Sequence, residues 1–253
     1  MALTKVVKII LSLGIILSVS AITIPVIINT VNNNNEIKFT YLYNAGVMIE
    51  TRGMRIYIDP YNLSTSFEEF PADLILTTHN HGDHFQLTIL NMLNKNSTEY
   101  IFPNYMSSYI SLYDGIGVNP EDYVKIKHVG ITAFYMYTFP VGEYPASHPK
   151  ENNYTSYILD INGFTIFHAG DSKKIPEYNQ LKGLIDLVLL PLGPGCQTMV
   201  DYEIVQALKT IEAKYFIPIH YGENACENFI STYGDYITEI QLIYLKSLQS
   251  IVF

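Results

Sequence analysis

The segment ILTTHNHGDHF, Ile75 to Phe85, gathers three of the chain's seven histidines and one aspartate into six consecutive residues, His79 to His84. It follows an apolar run that reads as a buried β-strand, so these side chains sit where a strand end enters a turn. At such a junction His79 and His81 project from the same side, while Asp83 and His84 come round on the loop. Imidazoles and a carboxylate converging on a small volume are what Zn2+ or a similar borderline cation requires. Gly82, between the two pairs, is expected to let the backbone turn sharply.

Further candidates stand far along the chain: His148 in PASHP, Asp171 in FHAGDS and His220 in IPIHYG. His220 ends the apolar run YFIPI as His79 ends LILTT. His168, three residues before Asp171, is expected to support the site rather than bind metal, because ligating side chains need orienting partners. Asp59 in IDP reads, on its own neighbours, as a turn-forming Asp-Pro. His128 has no motif around it and reads as a surface or packing residue.

Taken together, His79-x-His81-x-Asp83-His84 and the downstream His148, Asp171 and His220 resemble the signature of the metallo-β-lactamase-fold hydrolases. Within that superfamily, NAGVMIE, IDP, HAGD, LPLG and PIHY are similar to segments of the L-ascorbate-6-phosphate lactonase-like branch. The resemblance implies that His79, His81 and His148 hold one metal and Asp83, His84 and His220 a second, with Asp171 bridging them, and it offers Asp59 a second reading as an acid beneath the site that accepts an imidazole N–H. Two such cations, about 3.5–4 Å apart, share a hydroxide whose lowered pKa makes it a nucleophile at neutral pH. Asp83 is then also catalytic, steering that hydroxide. The donors accept zinc and manganese alike, with zinc the first expectation.

The elements that must position these residues are short strand runs divided by turn residues. IKFTYLY, GVMIET and MRIYIDP open an antiparallel meander, and DLILTT is a strand apolar enough to be buried on both faces. A helix over QLTILNMLNK, a strand YIFPN and a short helix YISLY follow. Strands are then expected over YVKIKHVG, ITAFYMYTF and YTSYILDINGFTIFHAGD, the last containing an Asn162-Gly163 hairpin signal. The tail alternates strand IDLVLLPLG, helix MVDYEIVQALKTI, strand YFIPIHYG and a C-terminal helix. This order predicts an α/β protein: two sheets with helices outside them, a four-layer αββα sandwich over residues 37–253.

Before that domain, Lys5 and Lys8 precede an uncharged, mostly apolar run from Ile9 to Ile28. Its length suits a bilayer-spanning helix and exceeds an ordinary signal-peptide core, although Ser18 to Ala21 offers small residues for cleavage. Residues 1–30 are therefore read as a transmembrane anchor or signal segment and the Asn-rich 31–36 as a tether. With lysines only at the front, the following domain is expected outside the cytoplasm, membrane-anchored or secreted.

The chain carries a formal net charge of −9 and no basic track, which disfavours a nucleic-acid substrate. Cys196 and Cys226 are too few for a disulfide scaffold, and neither stands at a metal-ligand position of the motifs. They read either as one bridge at the rim of the site or as two separate thiols. The function expected is a metal-dependent hydrolase acting on an ester, lactone or phosphodiester. Its alternatives are a phospholipase acting on membrane lipid and a non-catalytic metal-binding module.

Overall fold

The computed structural model describes residues 36–253. The expected anchor or signal helix over residues 1–30, and the tether as far as Asn35, lie outside the described residues. Among those described, no helix is long and apolar enough to cross a membrane.

The chain opens as the meander its alternation predicts. Strands β1 (Lys38–Tyr41), β2 (Val47–Thr51) and β3 (Met54–Ile58) pair antiparallel. β4 (Leu74–Leu76), β5 (Glu99–Pro103) and β6 (Ile116–Val118) then continue the sheet in parallel with β3. β6 was not foreseen. Helices α1 (Leu87–Leu93) and α2 (Ser107–Tyr113) connect these parallel strands.

The second sheet begins with β7 (Tyr123–Ile126) and β8 (Val129–Tyr135), and continues through β9 (Thr155–Ile161) and β10 (Phe164–His168). YVKIKHVG is thus not one strand. It turns at Lys127, whose φ of 52° is left-handed, and its last two residues already belong to β8. The β9–β10 hairpin forms at Asn162-Gly163 as expected, with φ of 57° and 84°, the positive pair that a type I′ turn requires. β11 (Leu187–Pro191), helix α3 (Asp201–Ile211), β12 (Tyr215–Ile219) and helix α4 (Ala225–Tyr233) complete the alternating tail. Two short strands follow where sequence indicated only helix: β13 (Gln241–Leu242) beside β12, and β14 (Ser250–Val252) beside β1.

Each sheet has seven strands among the described residues, in the orders β14-β1-β2-β3-β4-β5-β6 and β13-β12-β11-β10-β9-β8-β7. Period-two alternation sorts their side chains between layers. Leu187 and Leu189 of β11 face the core between the sheets, with Ile56, Leu74 and Ile217. Val188 and Leu190 face outward under α3, with Ile204 and Leu208. On the other side Ile75 and Tyr100 pack under α1 with Leu90 and Leu93. The result is the expected αββα sandwich, in which β3 to β6 and β10 to β13 run parallel within their sheets.

Candidate metal centre

In open sheets of parallel strands, ligands bind beyond the carboxyl ends. Asp59 follows β3, His79 lies three residues after β4, His168 ends β10 with Asp171 just beyond, and His220 follows β12. Both sheets therefore deliver side chains to one place.

Two of these residues have left-handed backbones that L-residues rarely adopt: Asp59 at φ 47° and His220 at φ 51°. Both are locked by hydrogen bonds, Asp59 N donating to Leu76 O at 3.0 Å and His220 N to Asn44 O at 2.9 Å. Backbone approaches Asp59 so closely that a Cβ at Gly46 would lie 2.8 Å from its carbonyl oxygen. Gly170, beside Asp171, has φ 56°, and a Cβ there would lie 2.5 Å from Met136 Sδ. Gly82 has no such need: its φ is ordinary and a Cβ would meet nothing. The turn there is made instead by His84 N and Phe85 N, which both donate to His81 O.

Hydrogen bonds fix the imidazoles. Thr78 Oγ1 gives its proton to Asp59 Oδ2 (2.6 Å), so it can only accept from His79 Nδ1 (2.9 Å). Ser147 Oγ likewise donates to Cys196 O and accepts from His148 Nδ1 (3.1 Å). His84 Nδ1 donates to Asp59 Oδ2 at 2.8 Å. In all three rings Nδ1 holds a proton, so Nε2 is the nitrogen left to bind a cation, or in His84 a second proton. The Nε2 atoms of His79 and His148 nevertheless face each other at 3.2 Å, and His81 Nδ1 is 3.2 Å from His148 Nε2.

Asp171 lies among them, fully buried. Its oxygens are 3.0 Å from His84 Nε2, 3.5 Å from His220 Nε2, 3.7 Å from His148 Nε2 and 3.9 Å from His79 Nε2. Asp171 Oδ1 and His84 Nε2 pair only when that ring carries a second proton, and Asp171 Oδ2 has no hydrogen-bond partner. Buried acceptors left unpaired cost on the order of 1–3 kcal/mol each, more when charged. Lone pairs and carboxylate oxygens this close repel unless positive charge lies among them.

The residues fit divalent cations. The donor atoms of His79, His81, His148 and Asp171 all lie within 4.8 Å of one another, as do those of Asp83, His84 and His220. Burial, then the neighbouring rings, holds His79 well below the usual imidazole range, leaving it neutral. Burial, opposed by Asp171 but aided by the other imidazoles, pushes His148 down to about 4. His84 differs: burial acts downward, but Asp171 and Asp59 outweigh it and hold this ring well above the usual range. The pocket thus demands positive charge at His84 Nε2, from a proton or a metal.

Asp83 lies at the mouth, half-buried. Its Oδ2 accepts from Asn44 Nδ2 at 3.1 Å and lies 3.3 Å from His220 Nε2. The His220 contact, against burial, holds its carboxyl well below the usual range. His168 stays out of the cluster. Its Nε2 donates to Ala45 O at 2.8 Å, tying the two sheets together, and its Nδ1 accepts from Gly170 N next to Asp171. Asp59 is the acid beneath the site, not merely a turn residue. His128 lies outside the cluster, half-buried.

Four contributors escaped the sequence reading. Thr78 and Ser147 each directly precede a histidine they orient, and Asn44 lies in the NAGVMIE segment; the adjacency was the available signal. Cys196 had none: its thiol lies within 4.8 Å of the donor atoms of Asp171 and His220. The expected choice between one bridge and two thiols resolves to two free cysteines, Cys196 exposed and Cys226 buried in the outer core beside Phe229.

Known proteins share this fold and part of this sequence. Residues 38–220 match the family model described as a Beta-lactamase superfamily domain. A UPF0173 metal-dependent hydrolase of Anoxybacillus flavithermus is 31% identical over 210 residues, covering 73% of this chain and 86% of that protein. Another of that description, from Thermococcus kodakarensis, is 31% identical over 204 residues, covering 74% and 85%. Among solved structures, Igni18, a metallo hydrolase from the archaeon Ignicoccus hospitalis, superposes with a TM-score of 0.72. It covers 86% of this chain and 98% of its own at 20% identity, a likeness of fold.

Proposed function

This chain belongs to the β-lactamase superfamily and is a metal-dependent hydrolase, and on that premise we propose that it cleaves a small ester, lactone or phosphodiester at a two-cation centre. His79, His81 and His148 would hold one cation and Asp83, His84 and His220 the other, with Asp171 between them. One observation carries this reading: the donor atoms of two such sets crowd around the buried Asp171 carboxylate, with His79 and His148 Nε2 3.2 Å apart and no proton between them. Divalent cations there would supply Lewis-acid polarisation of the scissile group and a water acidified enough to attack at neutral pH. Zinc suits the imidazole-rich first set best, and manganese is accepted by the same donors.

The chain's own residues do the rest. Asp59, Thr78 and Ser147 hold the Nδ1 protons so that three Nε2 lone pairs stay aimed inward. Asp83, ionised and half-exposed, accepts a hydrogen bond from the attacking water and orients it, while Asn44 fixes its Oδ2. Tyr154, 5.8 Å from His79 and 5.5 Å from His148 between ring centroids, keeps bulk water off those imidazoles. Tyr105 packs against Tyr154 and is pinned where its hydroxyl accepts from Asn80 N at 2.9 Å.

We place the hydrolase outside the cytoplasm, held to or exported across a membrane by the apolar residues 9–28; what supports this is the sequence of that segment. Fractionation of cells making the full chain tests it, and a domain left in the cytosolic fraction contradicts it. Activity is tested on a panel of aryl phosphodiesters, lactones and simple esters with protein loaded with zinc or manganese. Hydrolysis of at least one class, abolished in His81→Ala, is expected. Equal turnover by His81→Ala, or none by wild type on any class, would reject the reading.

A further inference from the structure

Cys196 stands at the centre without a structural reason to be there. It is exposed, free, and outside every apolar cluster of the described residues, whereas Cys226 is an ordinary buried core thiol. Its loop follows β11 and reaches over His220: a Cβ at Gly195 would touch His220 Cε1 at 3.8 Å. The segment GPGCQT offers Gly193 and Gly195, yet left-handed conformations also fall on Cys196 (φ 52°) and Gln197 (φ 61°). Each costs a non-glycine residue roughly 1–2 kcal/mol.

The loop is nevertheless held firmly. Gln197 Oε1 accepts from Ser147 N at 2.8 Å, and its Nε2 donates to Pro145 O at 3.0 Å. Cys196 O accepts the Ser147 hydroxyl that orients His148. Position 196 is thereby tied to the metal-facing imidazoles through its backbone, and its thiol shares a 4.8 Å volume with Asp171 and His220 donor atoms. The second pointer to a ligand there is Asp171, fully buried, whose Oδ2 has no hydrogen-bond partner and lies 3.5 Å from His220 Nε2 in that volume.

Building on the two-cation reading, we propose that Cys196 is a further metal-ligating residue, binding through sulfur on the Asp171–His220 side and making that half of the centre selective for thiophilic divalent ions. On binding, sulfur donates an electron pair to the cation and the thiol proton leaves to solvent, with no change of oxidation state. Thiolate favours zinc, cadmium or cobalt over manganese and magnesium, which the imidazole and carboxylate donors alone separate less sharply.

The test is Co2+ titration of the full-length protein, of Cys196→Ser and of Cys226→Ser, read by absorbance. Visible ligand-field bands report any occupied cobalt site, and a near-ultraviolet sulfur-to-cobalt charge-transfer band reports a bound thiolate. We expect both in wild type and Cys226→Ser, and loss of the charge-transfer band alone in Cys196→Ser. In competition, the preference for Cd2+ over Mn2+ should fall at least roughly tenfold in Cys196→Ser. Ligand-field bands with no charge-transfer band in wild type, or a charge-transfer band persisting in Cys196→Ser, would overturn the assignment and leave the metal centre standing. Absence of all cobalt bands would overturn both.

Discussion

The orientation of His79, His84 and His148 is set by what their Nδ1 atoms touch, and Asp59 is the clearest instance. One carboxylate accepts from Thr78 N, Thr78 Oγ1 and His84 Nδ1, so it orients His84 directly and His79 through the threonine. Asp59→Asn turns one oxygen into an N–H donor facing donors, which those groups cannot satisfy. Metal affinity, read by competition with a chromogenic chelator, should fall about 10–100-fold, and unchanged affinity would show that the carboxylate only shapes a turn. The sequence carried much of this scale. The clustered histidines, Asp171 and Asp59 were legible because most of them end or closely follow a strand in a recognisable motif, while His148, in the long loop between β8 and β9, was legible only through the family resemblance. Cys196 was not, since its approach depends on two left-handed residues and on hydrogen bonds to a loop some fifty positions earlier.

At the scale of elements, the parallel strands hold the centre at one end and are anchored by carboxylates at the other. Asp73 precedes β4 and accepts from Arg55 N at 2.9 Å, Lys95 at 2.9 Å and Lys127 at 3.3 Å. Asp186 precedes β11 and accepts from Thr165 N at 2.9 Å and Lys214 at 2.7 Å. In both, burial acts upward but is outweighed: for Asp73 by the Arg55 N–H and the two lysines, for Asp186 by Lys214 and Thr165. Both are held below the usual carboxylate range. A depressed carboxyl adds stability above its unfolded value of 3.8, and that stability is lost as pH falls through the lower folded value. Asp73→Asn should therefore lower unfolding free energy by about 1 kcal/mol at neutral pH, a modest figure because the lysines are solvent-screened. The difference should shrink toward zero well below pH 4, and a constant difference in urea melts across that range would refute the electrostatic cause. Strand existence was largely legible, but β6, β13, β14 and the β7–β8 turn were not. β14 is short, partly exposed and without apolar contrast; it is a strand because β1, more than two hundred residues earlier, supplies its partner.

For the whole molecule, metal binding is expected to stabilise the fold, because a preformed site exists only in the folded chain. The sandwich closes only by bringing His84, Asp171 and the facing imidazoles from both sheets into a dry volume, where their mutual repulsion opposes folding until positive charge enters. A ligand binding only the folded state stabilises it by about 2.7 kcal/mol at a hundred times its dissociation constant. Stripping metal with a chelator should lower the melting temperature, and restoring zinc should recover it. An unchanged melting temperature would mean that the cluster is no metal centre. Fold class was legible from the alternation of strand and helix runs, because the layers repeat a local pattern; substrate was not, because it is set by loop shape around the mouth. The central claim is two cations, one per set of donors. It is tested most directly by counting metal per chain, by elemental analysis after zinc loading and desalting, in wild type and in His220→Ala. The account predicts two per chain in wild type and one in the variant, whose first set is intact. One or none in wild type, or two retained by the variant, would contradict it.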